Sequence, residues 1–256
     1  MAAEVFNGIV RVVNDIEQTM PFDSVLRLPS TFLGKPFYNF ILFEFEGDKE
    51  RNYYNKPYIK ECMESWKKRF PLSRFIYIKI EDCLSISNWT KYTYRRRNYP
   101  TDSLRIYFTS LLDNCFYVDT DVFISEKAEI PTEKDSFVYC YCSGTMTWNK
   151  KRNNKKFGEW FDWYEDITKR LIDKYGEDSV NDIDTELARH ADIPAYESMG
   201  YRCTESVNDL QGVSHFSAMW PAMCNHDKIS LSYPRQHEQS IYFASDSYWA
   251  WTKYCI

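Results

Sequence analysis

Apolar and polar residues follow one another in a repeating strand–helix order along the first half of the chain. Two runs rich in aromatic and β-branched residues, 37–45 and 74–80, predict buried strands. Between them, residues from Pro57 onward carry apolar side chains at helical spacing, and Pro71 ends this helix. A third run, 115–124, predicts another buried parallel strand. This order indicates an α/β fold.

The remaining segments have weaker patterns. Residues 1–36 predict a loosely defined lead-in, with helical periodicity over 9–20, and residues 88–98 predict an irregular or helical segment. Residues 136–147 predict two short strands, and 157–175 predict a long amphipathic helix that ends at a glycine.

Composition predicts one enzyme-sized domain. The 256 residues are 44% hydrophobic and 18% aromatic, enough for a single large core. The net charge of −5 gives no bulk attraction to nucleic acid or to an anionic membrane. No apolar run approaches the roughly 20 residues of a membrane helix, and the N-terminus does not resemble a signal peptide. The eight cysteines form no Cys-x-x-Cys pair, so reduced thiols and a cytoplasmic location are expected.

The sequence Asp119-Thr120-Asp121 lies within the third predicted strand. Strand alternation places Asp119 and Asp121 on the same side, at the carboxyl end of a central strand, where open α/β sheets bind ligands. Carboxylate oxygens suit Mg²⁺ or Mn²⁺, and such an ion can hold a diphosphate. The tripeptide alone proves little, since the chain also contains Asp182-Ile183-Asp184. Its position at the end of a buried strand makes Asp119 and Asp121 candidate metal ligands.

A helix predicted just upstream adds a second charged pair. Pro100 breaks the preceding segment, Thr101 is a candidate N-cap, and Asp102 complements the positive end of the helix. Asp102 and Arg105 are three residues apart, so they share one face of the first turn and can reach the same ligand.

The block from Asp102 to Ile124 resembles the DXD region of sugar-nucleotide-dependent glycosyltransferases of the GT-A fold. The nearest resemblance is to the capsular-polysaccharide and mannosyltransferase group, together with the glucosylating bacterial toxins. Their pattern is Ser-Asp-x-x-Arg, a helix, Gly-Gly, and Tyr-x-Asp-x-Asp. The matching residues here are Asp102, Arg105, Tyr117, Asp119 and Asp121.

Two departures from that pattern are visible. Asp113-Asn114 replaces the glycine pair, and the interval from the arginine to the aspartates is one residue longer. The Asp-Asn turn and the following strand also resemble the glycogenin and galactosyltransferase-like relatives.

The resemblance implies a GT-A fold, a Rossmann-like mixed sheet flanked by helices, in one domain over 1–256. The nucleotide-sugar-binding half is expected at about 37–125, and the acceptor half with a C-terminal lid at about 126–256. The implied enzyme is a retaining hexosyl- or pentosyltransferase. It would use Mn²⁺ or Mg²⁺ to move a sugar from a UDP- or GDP-sugar to a glycan or other hydroxyl acceptor in polysaccharide or glycoconjugate synthesis.

The resemblance also implies residue roles. Asp121 would hold the metal ion, with Asp119 on ribose, metal or both. Arg105 would place the donor or its diphosphate, and Asp102 would orient sugar hydroxyls.

Four further candidates lie nearer the C-terminus. Asp182 and Asp184 either cap a helix or face the sugar or acceptor. Trp249 is the candidate lid aromatic, and a neighbouring oxygen from 245–247 is a candidate third metal ligand. His215 is the competing candidate for that ligand, or a hydrogen-bonded structural residue.

Two other classes of protein compete with the transferase. One is a non-catalytic GT-A-like domain that binds a carbohydrate or nucleotide, which a disrupted aspartate pair would indicate. The other is a metal-dependent nucleotidyltransferase or phosphoryltransferase, which a Gly-x-x-x-x-Gly-Lys-Ser/Thr loop would favour. The aspartate pair is intact, and that loop is absent from the sequence.

Overall fold

Helices flank a mixed β-sheet in the structure, a computed structural model that describes residues 6–46, 57–94, 100–120, 122–124, 130, 132–133, 135–141, 144–176 and 241–243. The strands are β1 (Ile9–Val13), β2 (Glu17–Pro21), β3 (Thr31–Phe32), β4 (Lys35–Pro36), β5 (Tyr38–Glu44), β6 (Ser73–Lys79), β7 (Cys115–Val118), β8 (Val122–Ile124), β9 (Ser136–Tyr141), β10 (Gly144–Asn149) and β11 (Ile241–Phe243). The helices are α1 (Phe22–Val25), α2 (Pro57–Arg69), α3 (Asn88–Tyr94), α4 (Asp102–Leu111) and α5 (Lys155–Tyr175).

Seven strands form the main sheet, in the order β2-β1-β6-β5-β7-β10-β9. Its centre is parallel, because β5 pairs in parallel with β6 on one side and with β7 on the other. The outer strands β1, β2, β10 and β9 are antiparallel to their neighbours. This arrangement confirms the α/β part of the predicted fold class and is compatible with a Rossmann-like fold. The carboxyl ends of β5, β6 and β7 therefore meet at one edge, called here the carboxyl edge.

The expected helix over 9–20 is wrong. These residues form the antiparallel hairpin β1–β2, and β1 continues the main sheet beside β6. Val10 and Val12 are buried on one side of β1, so strand alternation and tertiary pairing outweigh the weak helical spacing. The described residues 6–36 thus contribute the four strands β1 to β4 and the short helix α1 rather than a loosely defined lead-in.

Each face of the sheet is covered by a different set of helices. On one face, Cys62, Trp66 and Phe70 of the α2 region pack on the apolar side chains of β5, β6 and β7. On the other face, the α4 residues Leu104 and Phe108 pack against the alternate side chains of the same strands. The two clusters explain why the central strands read as continuous apolar runs.

The predicted strand 115–124 is confirmed only over its first part. β7 ends at Val118, and a turn closed by the Val122 N–H donating to the Asp119 carbonyl at 3.0 Å separates it from β8. β8 leaves the main sheet and pairs with β11 instead. β7 lies between β5 and β10, so its carboxyl end is in the interior of the sheet rather than at a side.

The turn before β7 accounts for one departure from the glycosyltransferase pattern. Asn114 has φ +46°, a conformation that asparagine adopts more readily than most residues. Its side chain also donates to the Ser30 carbonyl at 3.0 Å. Asn114 therefore meets a backbone requirement that glycine would also meet.

Several other predicted elements are present. The segment 88–98 is helical over α3, residues 136–147 fall within the hairpin β9–β10, and the long amphipathic helix is α5. Gly176, just beyond α5, has φ +82°, as expected for a helix-ending glycine. None of the helices in the described part of the chain is long and apolar enough to span a membrane.

Candidate active site

Helix α4 brings Asp102 and Arg105 to the carboxyl edge. The helix begins directly after the turn at Pro100–Thr101, and the Arg105 N–H donates to the Thr101 carbonyl at 2.9 Å. Thr101 occupies the predicted N-cap position, but its hydroxyl makes no capping bond to this first turn and lies 3.5 Å from Arg105 Nη2. The helix start was thus placed correctly, while the capping role of this hydroxyl was not.

The Arg105 guanidinium joins the helix to the end of β7. Its Nη2 donates to Asp102 Oδ1, and its Nη1 lies 3.6 Å from Asp119 Oδ1. The guanidinium also stacks over the Tyr117 ring, with 4.8 Å from its carbon to the ring centroid. Four of the five residues that match the DXD pattern are therefore in one cluster, called here the carboxylate–arginine cluster: Asp102, Arg105, Tyr117 and Asp119.

Asp119 is the most exposed of the three charged members of this cluster. Its side chain is 17% exposed, whereas those of Asp102 and Arg105 are 3% and 5% exposed. Asp119 Oδ1 also accepts a hydrogen bond from the Tyr117 hydroxyl at 2.6 Å. Tyr117 and Arg105 thus hold the Asp119 carboxylate on its buried side. Of the three charged side chains, that of Asp119 is the most accessible to solvent.

Burial changes the acid–base behaviour of the cluster. Loss of hydration raises the pKa of Asp102 to about 6, although the Arg105 charge lowers it in part. Burial also raises the pKa of Tyr117 well above its ordinary value, so its hydroxyl keeps its proton and can donate to Asp119. At neutral pH Asp102 is therefore mostly ionised beside the Arg105 cation.

A second set of buried polar groups anchors the first turn of α4, and sequence reasoning missed it. Ser103 lies next to Asp102, and its hydroxyl is 2.9 Å from that of Ser87. Ser87 in turn donates to Glu165 Oε1 of α5 at 2.7 Å. One signal in the sequence could have found this set: Ser87 precedes α3, and its hydroxyl accepts from the Thr90 N–H at 2.9 Å as an N-cap.

The other end of α4 is held by Asn149 at the end of β10. Its side-chain amide donates to the Thr109 and Leu112 carbonyls, each at 3.0 Å. These carbonyls would otherwise lack partners at the helix terminus. With both ends fixed, α4 presents Asp102 and Arg105 to Asp119 in one geometry.

The other predicted site residues lie outside the described residues: Asp121, Asp182, Asp184, His215 and Trp249. Within the described ranges, no group of three or more histidine, cysteine or acidic side chains could hold a metal ion. Asp119 is therefore the only predicted metal ligand whose surroundings are described. Arg105 and Tyr117 both contact Oδ1 of Asp119, so this oxygen is already engaged within the cluster.

One segment from the C-terminal part of the chain reaches this edge. β11 pairs antiparallel with β8, with Phe243 opposite Val122 and Ile241 opposite Ile124. Val122 directly follows Asp121 in the chain. Phe243 therefore lies at the end of the β8–β11 ribbon where the Val122 N–H donates to the Asp119 carbonyl.

Comparison with protein-family profiles, curated proteins and solved structures found no match for this chain. What the fold itself defines is a mixed α/β protein with a central parallel sheet and a charged cluster at its carboxyl edge.

Proposed function

We propose that the protein is a metal-dependent glycosyltransferase of the GT-A type, which transfers a sugar from a nucleotide-sugar to a hydroxyl acceptor. One observation carries the proposal: the guanidinium of Arg105 contacts both Asp102 and Asp119 at the carboxyl end of β7. These residues match the glycosyltransferase pattern, and this edge is the ligand-binding side of an open α/β sheet.

The charge of the cluster supports the need for a divalent ion. Arg105 already faces two carboxylates, and Asp121 adds a third negative charge two residues beyond Asp119. A bare diphosphate would be repelled there. Mn²⁺ or Mg²⁺ bound through Asp121 would neutralise the charge that develops on the departing nucleoside diphosphate.

The three charged residues of the carboxylate–arginine cluster then have separate roles in the proposed site. Asp119 accepts hydrogen bonds from the donor, with ribose hydroxyls as the expected partners, and supports the metal site. Arg105 holds Asp119 in place and offsets the charge of the pair of aspartates. Asp102 lies behind Arg105 and accepts a hydrogen bond from it. Asp102 therefore acts on the nucleotide-sugar by positioning the Arg105 guanidinium, unless the bound nucleotide-sugar displaces that guanidinium.

The proposal is tested by incubating the protein with a panel of UDP- and GDP-sugars in the presence of Mn²⁺ and measuring release of nucleoside diphosphate. Asp121→Asn should lower this release roughly 100-fold, the scale expected when an electrostatic group of the transition state is removed. Asp173→Asn, an exposed change on α5, is the matched control and should leave release unchanged.

Three results would contradict the proposal. Unchanged release in Asp121→Asn, or full release in EDTA, would refute the metal site. Binding of a nucleotide-sugar without any turnover would indicate a non-catalytic domain. Release of pyrophosphate or nucleoside monophosphate would indicate the rival nucleotidyltransferase chemistry.

A further inference from the structure

Strand β8, which directly follows Asp121 in the chain, is bound by β11 along one edge and by side chains of α2 along the other. Trp66 Nε1 donates to the Val122 carbonyl at 2.7 Å. The Ile124 N–H donates to Ser65 Oγ at 2.9 Å. Backbone groups of alternate strand residues point to the same edge. On that edge of β8, an indole and a hydroxyl therefore do what a neighbouring strand would do.

The Trp66 indole is a donor with a fixed position. Its side chain is fully buried, and its ring stacks on that of Phe40 of β5, with 5.7 Å between centroids and 12° between planes. The indole also packs on Phe75 of β6, at 6.4 Å between centroids. Because Phe40 and Phe75 belong to the central parallel strands, the indole N–H is fixed relative to the main sheet. It thereby ties β8, which has left that sheet, back to it.

The Ser65 hydroxyl is used twice. It donates to the Cys62 carbonyl of its own helix at 2.6 Å and accepts from the Ile124 N–H. A serine inside a helix is not favoured, because its hydroxyl competes for backbone hydrogen bonds. Here the buried hydroxyl also supplies an acceptor to a backbone N–H outside the helix. Helix α2 thus holds β8 at two points that are two residues apart.

These contacts reach the predicted metal site through the chain. The Val122 N–H donates to the Asp119 carbonyl at 3.0 Å, while the Val122 carbonyl accepts from Trp66. Both backbone polar groups of Val122 are therefore engaged, one peptide bond away from Asp121. At the other end of the turn, Arg105 lies 3.6 Å from the Asp119 carboxylate. The turn from Asp119 to Val122 is thus held at one end by the carboxylate–arginine cluster and at the other by α2.

We propose that Trp66 and Ser65 are positioning residues of the metal site, which hold the backbone that carries Asp121 in a fixed place beside Asp119. This inference rests on the proposed function, because it assigns the divalent ion to Asp121. Both side chains are buried behind β8 and act through the Val122 carbonyl and the Ile124 N–H. Loss of such contacts behind the ligands of a metal ion lowers metal affinity or activity by roughly 10- to 100-fold.

Equilibrium dialysis of the whole chain against Mn²⁺, with UDP or GDP present on both sides, tests this proposal. Trp66→Phe keeps an aromatic ring but removes the donor, and Ser65→Ala removes the acceptor of the Ile124 N–H. Each should weaken Mn²⁺ binding per folded molecule by about tenfold or more. Alanine favours a helix, so Ser65→Ala should fold and decides the test if Trp66→Phe does not.

Trp148→Phe is the matched control. Trp148 is as buried as Trp66, but it packs on Phe116 near the start of β7, away from Asp119. Trp148→Phe should lose stability and bind Mn²⁺ as the wild type does. An equal loss of Mn²⁺ affinity in this control would overturn the proposal, because it would show a general loosening of the core.

The remaining outcomes separate this proposal from the proposed function. Unchanged Mn²⁺ affinity in Ser65→Ala, or in folded Trp66→Phe, would overturn the role of that residue and leave the glycosyltransferase proposal in place. Mn²⁺ binding that changes as expected in the variants, without any release of nucleoside diphosphate by the wild type, would support the positioning role and contradict the glycosyltransferase. A wild type that binds no Mn²⁺ would overturn both.

Discussion

At the scale of single residues, the site depends on one arginine with three neighbours. A buried cation is tolerated when carboxylates compensate it, and Arg105 has Asp102 on one side and Asp119 on the other. Its planar guanidinium meets both and stacks on Tyr117. A lysine ammonium is a compact charge and cannot reproduce this geometry.

Arg105→Lys should therefore lower turnover per folded molecule by about 10²-fold, because Asp119 loses the planar group that positions it, and should keep most of the stability. Arg105→Ala should also reduce the free energy of unfolding by about 3–5 kcal/mol, because it leaves buried carboxylates without their cation. Urea unfolding and single-turnover assays measure the two effects separately. Wild-type turnover in Arg105→Lys would show that only charge matters at this position.

Asp102 should make stability depend on pH in a defined window. Its pKa is about 6 in the folded protein against an ordinary value of 3.8, so the folded state binds its proton more tightly than the unfolded state does. Its contribution is then fully present below about pH 3.8 and is lost as pH rises through about 6. Asp102→Asn, which cannot ionise, should remove this component. Urea unfolding between these pH values measures the free energy of unfolding of the wild type and of Asp102→Asn. An equal change of this free energy with pH in both proteins would contradict the prediction.

At the scale of elements, the site is supported by contacts between helices that are distant in sequence. Glu165 of α5 is buried and accepts from Ser87 Oγ at 2.7 Å and from the Trp89 N–H at 3.2 Å, with the Asn88 N–H as a further donor. It thus closes the first turn of the short helix α3. Through Ser87 and Ser103 it also braces the turn that carries Asp102.

Glu165→Ala should destabilise the protein by about 2–4 kcal/mol, since it removes a helix cap and leaves buried donors without an acceptor. Glu165→Gln should cost less, because an amide oxygen can still accept. Glu159→Ala on the same helix is the control. Glu159 is partly exposed and lies 3.4 Å from Lys155, a pair worth about 0.3–0.5 kcal/mol. Similar losses of unfolding free energy in Glu165→Ala and Glu159→Ala would show that the hydrogen bonds of Glu165 to α3 do not stabilise the protein.

At the scale of the whole molecule, the proposed donor site exists only when α4, β7 and the loop beyond β7 are folded together. A nucleoside diphosphate with Mn²⁺ should therefore bind the folded state and not the unfolded state. It should stabilise the folded state by about 2.7 kcal/mol at a ligand concentration of 100 times Kd. For a chain of this size that corresponds to a rise in Tm of roughly 5–10 °C. Thermal unfolding with and without EDTA measures the shift. An equal shift of Tm in EDTA, or in Asp121→Asn, would show that the nucleotide binds without the metal site and would contradict the prediction.

The local pattern was sufficient for most of the elements that build the site. Helix α4 and strand β7 were located because Pro100 marks a boundary and because residues 115–118 form an apolar run. The pairing of Asp102 with Arg105 followed from their spacing on a helix. The hairpin β1–β2 was missed because its apolar residues also fit a weak helical spacing, whereas pairing with β6 decides its structure.

By itself, the sequence determined the α/β class, the central strands and the position of the first turn of α4, since each depends on residues close together in the chain. Only the tertiary structure decided that β7 ends at Val118, that Arg105 bridges to Asp119, and that Glu165 supports α3 from 70 residues away or more. The reason is physical: propensity and periodicity act over a few residues, whereas ion pairs and buried hydrogen bonds form between whichever groups the packed elements bring together.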